Sequence, residues 1–278
     1  MTLVLKSKEE LRTWRKAQSP TFTVGLVPTM GALHEGHLSL IQLAKEKCKV
    51  TLATIFVNPL QFGPKEDFSA YPRTFEKDLS MLGRAKVDVL FAPESLYLAD
   101  NSTYVIEEKV SQPLCGAFRP GHFRGVATVV LKLFNLIQPD KAFFGQKDAQ
   151  QCMVIERMVR DLDLPIQIVR GKTLRETDGL AMSSRNSYLS AQERAAAPLL
   201  FKSMIEAAQL FMQGEKDPSV LRRAGRAILE ADPVFQIQYW DVRHPNTLEE
   251  ISEVGPDGAL IAVAALLGKT RLIDNLRI

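Results

Sequence analysis

The sequence predicts an α/β fold in which a doubly wound parallel sheet is followed by a smaller α+β domain. Two observations support this prediction. Short apolar segments rich in Val, Ile and Phe alternate with amphipathic helical patterns through residues 1–171, as is typical of parallel strands covered by helices on both faces. After about Gly171 a polar segment is followed by helices and then by strands. We therefore predict a Rossmann-like domain at 1–171 and a C-terminal α+β domain at 172–278.

The elements of the first domain follow from its periodicity. The predicted strands are Thr23–Val27, Val50–Val57, Val87–Ala92, Lys141–Phe144 and Ile166–Val169. The predicted helices are Leu38–Lys47, Thr74–Arg84, Phe123–Gln138 and Asp148–Asp161. Ligands of such sheets bind at the carboxyl ends of the strands, where His34, Asn58 and Gly145 are expected.

The second domain begins with the polar segment Lys172–Ser190. Helical patterns are predicted at 191–212 and 218–230. Strands are predicted at Phe235–Val242, Ala259–Leu266 and Thr270–Ile273, with a turn at Gly255–Gly258 joining the first two. We expect this domain to cover the edge of the sheet that carries the site.

Composition argues against several classes of protein. Of the 278 residues, 46% are hydrophobic and 24% charged, and the net charge is +3. That charge is too small to favour nucleic acid or an anionic membrane as a partner. The longest apolar run, Ala259–Leu267, is far below the roughly 20 residues of a membrane helix, and residues 1–8 lack a signal-peptide pattern. Cys48, Cys115 and Cys152 form no disulfide or zinc pattern, so we expect a soluble protein of the reducing cytoplasm.

The segment PTMGALHEGH at 28–37 is the most informative motif. It lies between a predicted strand and a predicted helix, so His34 and His37 fall at a helix N-terminus. The unpaired N–H groups and the helix dipole favour an anion there, and imidazole N–H groups add donors. A helix cap or a surface position is the alternative for each histidine. Without a P-loop or a G-x-G-x-x-G pattern, the motif argues against P-loop kinases and dinucleotide enzymes and predicts a nucleotide triphosphate site.

A second cluster, Gly145-Gln146-Lys147-Asp148, lies where a predicted strand meets a helix. Lys147 would bring a mobile positive charge to a phosphate. Asp148 would cap the helix or bind a ribose hydroxyl, and an ordinary capped turn is the alternative. The amide of Gln151 both donates and accepts, which suits a ligand with a hydroxyl and a carboxylate.

A third cluster, Met182-Ser183-Ser184-Arg185-Asn186, combines hydroxyls with a guanidinium on a polar segment. These groups suit the β- and γ-phosphates of a nucleotide. A solvated linker between domains is the competing interpretation, and co-occurrence with the His-x-Gly-His motif favours the phosphate role.

The loop after the second predicted strand supplies neutral polar groups at Asn58 and Gln61, beside apolar side chains suited to a pocket wall. Gly63 and the proline after it would act as hinges of a closing lid, and a plain surface loop is the alternative. His122, at the start of a predicted helix, is interpreted as a helix cap.

Together these segments resemble the pantothenate synthetase (pantoate–β-alanine ligase) family. The resemblance runs from about Val24 to Asn186 and more weakly to the C-terminus. It is carried by PTMGALHEGH (28–37), TIFVNPLQFGP (54–64), AYPRT (70–74), RPGHFRGVATVV (119–130), FFGQKDAQQ (143–151) and ETDGLAMSSRN (176–186). The His-x-Gly-His block alone indicates only the wider nucleotidyl-transferase superfamily, which includes class I aminoacyl-tRNA synthetases.

The resemblance implies an ATP-dependent ligase with (R)-pantoate and β-alanine as the other substrates. ATP converts the pantoate carboxylate to pantoyl adenylate with release of diphosphate, and the amine of β-alanine then displaces AMP. It also implies Mg²⁺ as cofactor, a homodimer and the first domain as the site of nucleotide and pantoate binding.

The resemblance further implies the site residues. His37, His34 and Lys147 would be catalytic, with His37 the family's assigned proton donor, and Gln61 and Gln151 would bind pantoate. Gln61 would also approach β-alanine, and Asp78 is a candidate metal contact. The implied ATP-binding residues are Met30, Gly31, Ala32, Leu33, His34, Glu35, Gly36, His37, Gly145, Gln146, Lys147, Asp148, Leu174, Met182, Ser183, Ser184 and Arg185.

Departures from the family pattern are few. Gln146 stands where relatives often carry Glu, and Ala149 where they often carry an aromatic residue. The stretch around Asp78 is less acidic than in some relatives.

Other functions remain as alternatives. A nucleotidyltransferase acting on a phosphate acceptor would need basic residues around the acceptor, whereas Gln61 and Gln151 are neutral. A tRNA-binding module would need a basic face. A catalytically silent nucleotide sensor would bind without turnover.

Overall fold

The protein is described by a computed structural model covering residues 2–64 and 66–278. Its described residues divide into two compact units. The first unit comprises residues up to Ser111 with Arg119–Gln146 and Gln150–Lys172. The second unit comprises Gln112–Phe118, Lys147–Ala149 and Thr173–Ile278. Lys147 thus groups with the C-terminal residues, although it precedes the predicted boundary at 171.

The first unit contains a parallel sheet flanked by helices. Its strands are β1 (Leu3–Leu5), β2 (Val24–Val27), β3 (Val50–Thr54), β4 (Val89–Phe91), β5 (Lys141–Gly145) and β6 (Gln167–Gly171). The helices of this part of the chain are α1 (Lys8–Ala17), α2 (Glu35–Lys47), α3 (Phe75–Arg84), α5 (His122–Ile137) and α6 (Ala149–Asp161); α4 (Cys115–Phe118) groups with the second unit.

The strand order within the described residues is β1-β4-β3-β2-β5-β6, and every paired neighbour is parallel. After β2 the chain adds β3 and β4 on one side, then returns to place β5 and β6 on the other side. The order therefore reverses between β2 and β5, which confirms the predicted doubly wound fold. Such a switch point opens a crevice at the carboxyl ends of the two strands, the usual ligand position.

Burial explains why α2 lies against this sheet. Leu40, Ile41 and Ala44 recur at helical spacing and are buried in one core cluster with Val27 and with side chains of neighbouring strands. The start of α2, with its two histidines, is thereby held at the carboxyl end of β2.

The second unit combines helices with an antiparallel sheet, as predicted. Its other elements are α7 (Ala191–Ala196), α8 (Leu199–Met212), α9 (Pro218–Glu230), β7 (Phe235–Arg243), β8 (Leu260–Leu267) and β9 (Thr270–Arg277). Strand β8 pairs with both of its neighbours. Trp240 is buried against the helices and donates its indole N–H to Ser203 Oγ at 2.8 Å.

Two predictions about this unit were wrong in their bounds. The predicted helix 191–212 is interrupted at Pro198, because proline provides no N–H and clashes with the preceding turn. The last strand was predicted to end at Ile273 but continues to Arg277. The predicted end came too early because the polar residues Asp274 and Asn275 interrupt the apolar pattern of the strand. In the first unit, the three-residue strand β1 was not predicted at all.

Among the helices of residues 2–64 and 66–278, none combines the length and apolar character needed to cross a membrane.

Candidate active site

The loop between β2 and α2 carries the His-x-Gly-His motif, and its conformation depends on one turn. Thr29 holds the start of the loop, since its Oγ donates to Thr54 O at 2.5 Å and accepts the Gly31 N–H at 3.1 Å. Gly31 and Ala32 then have positive φ values of 82° and 51°. A side chain at Gly31 would be strained at this φ, and its Cβ would come within 3.1 Å of Asp78 Oδ2.

Asp78, in α3, stabilises this turn. Its side chain is buried, and its two oxygens accept the N–H groups of Ala32 and Leu33, each at 2.9 Å. Thr74 Oγ lies 3.2 Å from both oxygens. The structure thus gives Asp78 a role as an anchor of the loop, while the metal contact suggested by the sequence stays a prediction.

His34 and His37 cap the helix that they begin. His34 is the N-cap of α2, and its Nδ1 accepts the Gly36 N–H at 3.1 Å. His37 Nδ1 accepts the His34 N–H at 3.3 Å, and the two ring centroids are 4.1 Å apart. A nitrogen that accepts a hydrogen bond carries no proton, so each neutral imidazole has its proton on Nε2. The predicted alternatives of cap and donor are therefore compatible, because one ring nitrogen accepts the cap hydrogen bond and the other carries the proton.

Gln61 lies beside the start of this loop. Its Nε2 contacts Met30 Sδ at 3.2 Å, and its Oε1 accepts the side-chain amide of Asn58 at 2.9 Å. Asn58 is buried; it also donates to Gly125 O at 3.1 Å and accepts the Tyr97 hydroxyl at 2.7 Å. Asn58 therefore orients the amide of Gln61, while a direct ligand contact of Asn58 stays a prediction.

Helix α5 packs against the short helical turn Pro59–Gln61. A Cβ at Gly125 would lie 2.2 Å from Leu60 O, so only glycine permits this approach. His122 Nδ1 lies 2.8 Å from Gln61 O, which as a carbonyl can only accept, so Nδ1 carries the proton. Its Nε2 then accepts from Arg119 at 3.1 Å.

Arg119 is held in turn by Glu66. Both Glu66 oxygens accept from the guanidinium at 2.6 Å, and Oε2 also accepts the Gly63 N–H at 3.2 Å. Burial alone would raise the pKa of Glu66, but the hydrogen bonds and charge of Arg119 outweigh it and lower that pKa to about 2. The interpretation of His122 as a helix cap is therefore wrong: Gly121 is the N-cap of α5, and His122 is the first helical residue, with its ring nitrogens in these contacts. In the sequence, only the spacing of three between Arg119 and His122 in the RPGHFRG block could have indicated these contacts.

The carboxyl end of β5 lies next to that of β2, through the pairing of Leu26 with Ala142. Gly145 ends this strand, and Gln146 Oε1 accepts from Arg170 at 3.2 Å. Arg170 is itself paired with Glu156. Gln151 is half-buried in the first turn of α6.

In the second unit, Lys147 is fixed through its main chain. Asn275 in β9 donates its side-chain amide to Lys147 O at 2.8 Å. Lys147 and Asp148 belong to a single 3-10 turn, Gln146–Asp148, that leads into α6.

Residues 174–185, here named the Leu174–Arg185 hairpin, form a small hairpin of the second unit that ends in a helical turn. The segment Met182–Asn186 is therefore not the solvated linker considered as an alternative. Arg175 bridges Ala181 in antiparallel fashion, and Met182 N–H donates to Leu174 O at 3.0 Å. Leu174 is exposed, and Met182 is half-buried. Arg194 stabilises the hairpin through ion pairs with Glu176 at 2.5 Å and with Asp178 at 2.6 Å.

The end of the hairpin enters the 3-10 helix Ser184–Tyr188, which Ser183 caps by accepting the Arg185 N–H at 3.3 Å. Asn186 donates to Glu176 Oε1 at 2.8 Å and to Ala181 O at 3.1 Å. These hydrogen bonds stabilise the turn that contains Ser183, Ser184 and Arg185.

The structure therefore brings the predicted residues together in two groups. The first unit holds the His-x-Gly-His loop with Gln61 beside it. The second unit holds Lys147 and the Leu174–Arg185 hairpin.

Comparison with known proteins identifies the family. The model of the pantoate-beta-alanine ligase family matches residues 3–277. The chain belongs to this family. A pantothenate synthetase of Chloroflexus aggregans is 50% identical over 263 residues, which cover 94% of this chain and 95% of that protein. One from Thermoanaerobacter pseudethanolicus is 51% identical over 255 residues, covering 91% and 90%.

Solved structures of the family agree with the fold. The pantothenate synthetase of Thermus thermophilus superposes with a TM-score of 0.94 at 45% identity, covering 99% of both chains. The pantoate-beta-alanine ligase of Francisella tularensis, complexed with beta-gamma ATP and beta-alanine, gives a TM-score of 0.82 at 30% identity. That comparison covers 100% of this chain and 98% of the other. The predicted resemblance and the enzyme class are both confirmed.

Proposed function

We propose that this chain condenses (R)-pantoate with β-alanine at the expense of ATP. In the first step a pantoate carboxylate oxygen attacks the α-phosphorus, and diphosphate leaves. In the second step the β-alanine nitrogen attacks the acyl carbon of pantoyl adenylate, AMP leaves, and the amine loses a proton. The activation is needed because a carboxylate is a poor electrophile until its oxygen becomes part of a good leaving group.

The observation that carries this proposal is the contact between Gln61 and Met30. It joins the segment that would hold the acid to the first residue of the loop that would hold the nucleotide, with 3.2 Å between Gln61 Nε2 and Met30 Sδ. Both belong to the first unit, at the carboxyl ends of strands, where a doubly wound sheet binds its ligands.

The two histidines supply directional donors to the polyphosphate. Their Nδ1 atoms are engaged by the cap of α2, so the Nε2–H groups of His34 and His37 are the groups that can donate to phosphate oxygens. These donors are oriented before the reaction, and such preorganised dipoles stabilise charge that develops in a transition state. The role of His37 is thus that of an N–H donor. Residues 30–36 line the nucleotide alongside these rings.

The remaining ATP contacts come from the other predicted segments. Gly145, Gln146 and Asp148 flank Lys147, whose ammonium would neutralise charge at the α-phosphate. Leu174 would also contact ATP. The groups of Met182, Ser183, Ser184 and Arg185 would hold the β- and γ-phosphates.

The acid is held by neutral amides. Gln61 and Gln151 would bind the hydroxyl and carboxylate of pantoate without pairing the attacking oxygen with a fixed cation. Asn58 fixes the amide of Gln61, so the same group can meet β-alanine in the second step with little loss of rotamer entropy.

In the described part of the chain, no group of three or more His, Cys, Asp or Glu side chains is placed to hold a metal ion. Asp78, the metal candidate from the sequence, accepts a loop N–H group on each of its two oxygens. We propose that Mg²⁺ enters with the phosphates of ATP, and we assign no step of this chain's residues to it.

The predicted domains 1–171 and 172–278, with nucleotide and pantoate in the first, stay part of the proposal. So do the cytoplasmic location and the homodimer. The alternative of a nucleotidyltransferase acting on a phosphate acceptor is not favoured by the family match.

The test is exchange of labelled pyrophosphate into ATP with pantoate and without β-alanine. We expect exchange with pantoate and none with amino acids or with a nucleoside monophosphate. Exchange driven by either of the latter, or none with pantoate, would overturn the proposal.

A further inference from the structure

The last strand carries two buried polar residues for which the proposed reaction provides no direct use. Asp274 is 4% exposed and Asn275 is 7% exposed, in the middle of β9. Asp and Asn are depleted in strands, and burying them costs free energy unless they are hydrogen-bonded. Their partners therefore indicate what these residues do.

Asn275 acts on Lys147. Its side-chain amide donates to Lys147 O at 2.8 Å. A lysine ammonium is a point charge on a flexible stem, so its reach depends on where the main chain holds the Cα atom. The contact fixes that main chain from a strand more than a hundred positions further along the sequence.

Asp274 acts on the hairpin. Its carboxylate accepts from both terminal nitrogens of Arg175, at 2.5 and 3.1 Å. Arg175 also donates to Gly179 O at 3.1 Å, and its guanidinium lies 3.7 Å from the ring centroid of Phe201. Burial raises the pKa of Asp274, while the charges of Arg175 and Lys147 oppose this rise.

We infer that Asp274 and Asn275 are positioning residues that hold Lys147 and the Leu174–Arg185 hairpin in a fixed relation to each other. The inference rests on the proposed function, because these two segments are phosphate ligands only within it. Adjacent side chains on one strand reach both segments, so the sheet of the second unit sets the spacing between them. Both residues would act on the reaction through Arg175 and Lys147.

The experiment compares Asn275→Ala and Asp274→Asn with a control on the same strand, Leu272→Val. Leu272 is 4% exposed and packs in the apolar core, without a polar contact to either segment. For each full-length variant we would measure Tm and the kcat and KM of the pantoate-dependent exchange. Asn275→Asp, which keeps the volume but replaces the donor by an acceptor, serves if truncation impairs folding.

We expect Asn275→Ala and Asp274→Asn to lower kcat at least tenfold with the KM for pantoate within about twofold, since misplacing a catalytic group by about 1 Å can cost about a hundredfold. Leu272→Val should lower Tm while leaving kcat unchanged at temperatures well below it. A smaller loss of kcat, or an equal loss in the control, would overturn the inference and leave the proposed function intact. Absence of exchange in the unmodified protein would instead defeat the proposed function.

Discussion

Replacement of Asp78 by Asn tests whether this residue anchors the histidine loop. The substitution keeps the volume but leaves one oxygen where the carboxylate offers two. One buried N–H, from Ala32 or Leu33, then faces an NH₂ group, while the other keeps a weaker neutral bond. A buried unsatisfied N–H costs about 1–3 kcal/mol, and changing a charged acceptor for a neutral one costs roughly 1 kcal/mol more. We expect the free energy of unfolding to fall by about 2–4 kcal/mol.

The assay is urea unfolding with EDTA present and without ATP, followed by tryptophan fluorescence, with Trp14 reporting on the first unit. The control is Asp88→Asn: Asp88 is an exposed carboxylate that accepts the Thr51 N–H at 2.8 Å. Its replacement should cost less than about 1 kcal/mol, as for most exposed sites. Exchange activity of Asp78→Asn should fall as well, because the loop carrying the histidines loses its anchor.

The outcome separates the two roles considered for Asp78. A loop anchor lowers stability in the absence of metal. If Asp78→Asn unfolded at the same urea concentration as the unmodified protein, yet needed more Mg²⁺ for exchange, the role of anchor would be wrong and the role of metal contact would be supported.

Two further predictions concern the support of Gln61. Because the folded pKa of Glu66 is about 2 and its unfolded value is near 4.5, its contribution to stability is complete above about pH 4.5 and is lost as the pH falls towards 2. Glu66→Gln should therefore flatten the decline in unfolding free energy across that window, by at most about 3 kcal/mol, and an unchanged slope in urea titrations would contradict this. Gly125→Ala should lower stability by about 1–3 kcal/mol or more and raise the KM for pantoate, because its methyl group meets Leu60 O. Gly83→Ala, another helical glycine but with open space around it, should stabilise by roughly 0.5–1 kcal/mol, and similar effects of the two substitutions on Tm and KM would refute the packing argument.

Local patterns were sufficient for most of the fold. The helix predicted at 38–47 is observed at Glu35–Lys47, and the helix at 218–230 is observed within the same bounds. Apolar periodicity specifies such elements because the buried face must repeat with the helix or strand period. The strand β1 was missed because three residues carry too little periodicity.

The last strand shows where local patterns fail. Asp274 and Asn275 interrupt its apolar alternation, and the prediction stopped at Ile273. Their burial is compensated by Arg175 and by Lys147 O, and no local pattern encodes partners so distant in the sequence.

Some residues of the candidate site can be predicted from short sequence patterns, whereas others can be recognised only in the folded chain. Resemblance in short blocks predicted roles for His34, His37 and Lys147, and these roles stay predictions. The residues that orient the site, such as Asp78 and Asn58, are recognised only from the contacts of the folded chain.

We propose that His34 and His37, whose Nδ1 atoms accept the cap hydrogen bonds of α2, donate from Nε2 to a bound triphosphate. Long-range ¹H–¹⁵N spectra of the imidazoles test it most directly, with a non-hydrolysable ATP analogue added. We predict protonated Nε2 in His34 and His37 and protonated Nδ1 in His122, with the analogue shifting the first two Nε2 signals and leaving His122 in place. A proton on Nδ1 of either His34 or His37, or signals unmoved by the analogue, would contradict the account.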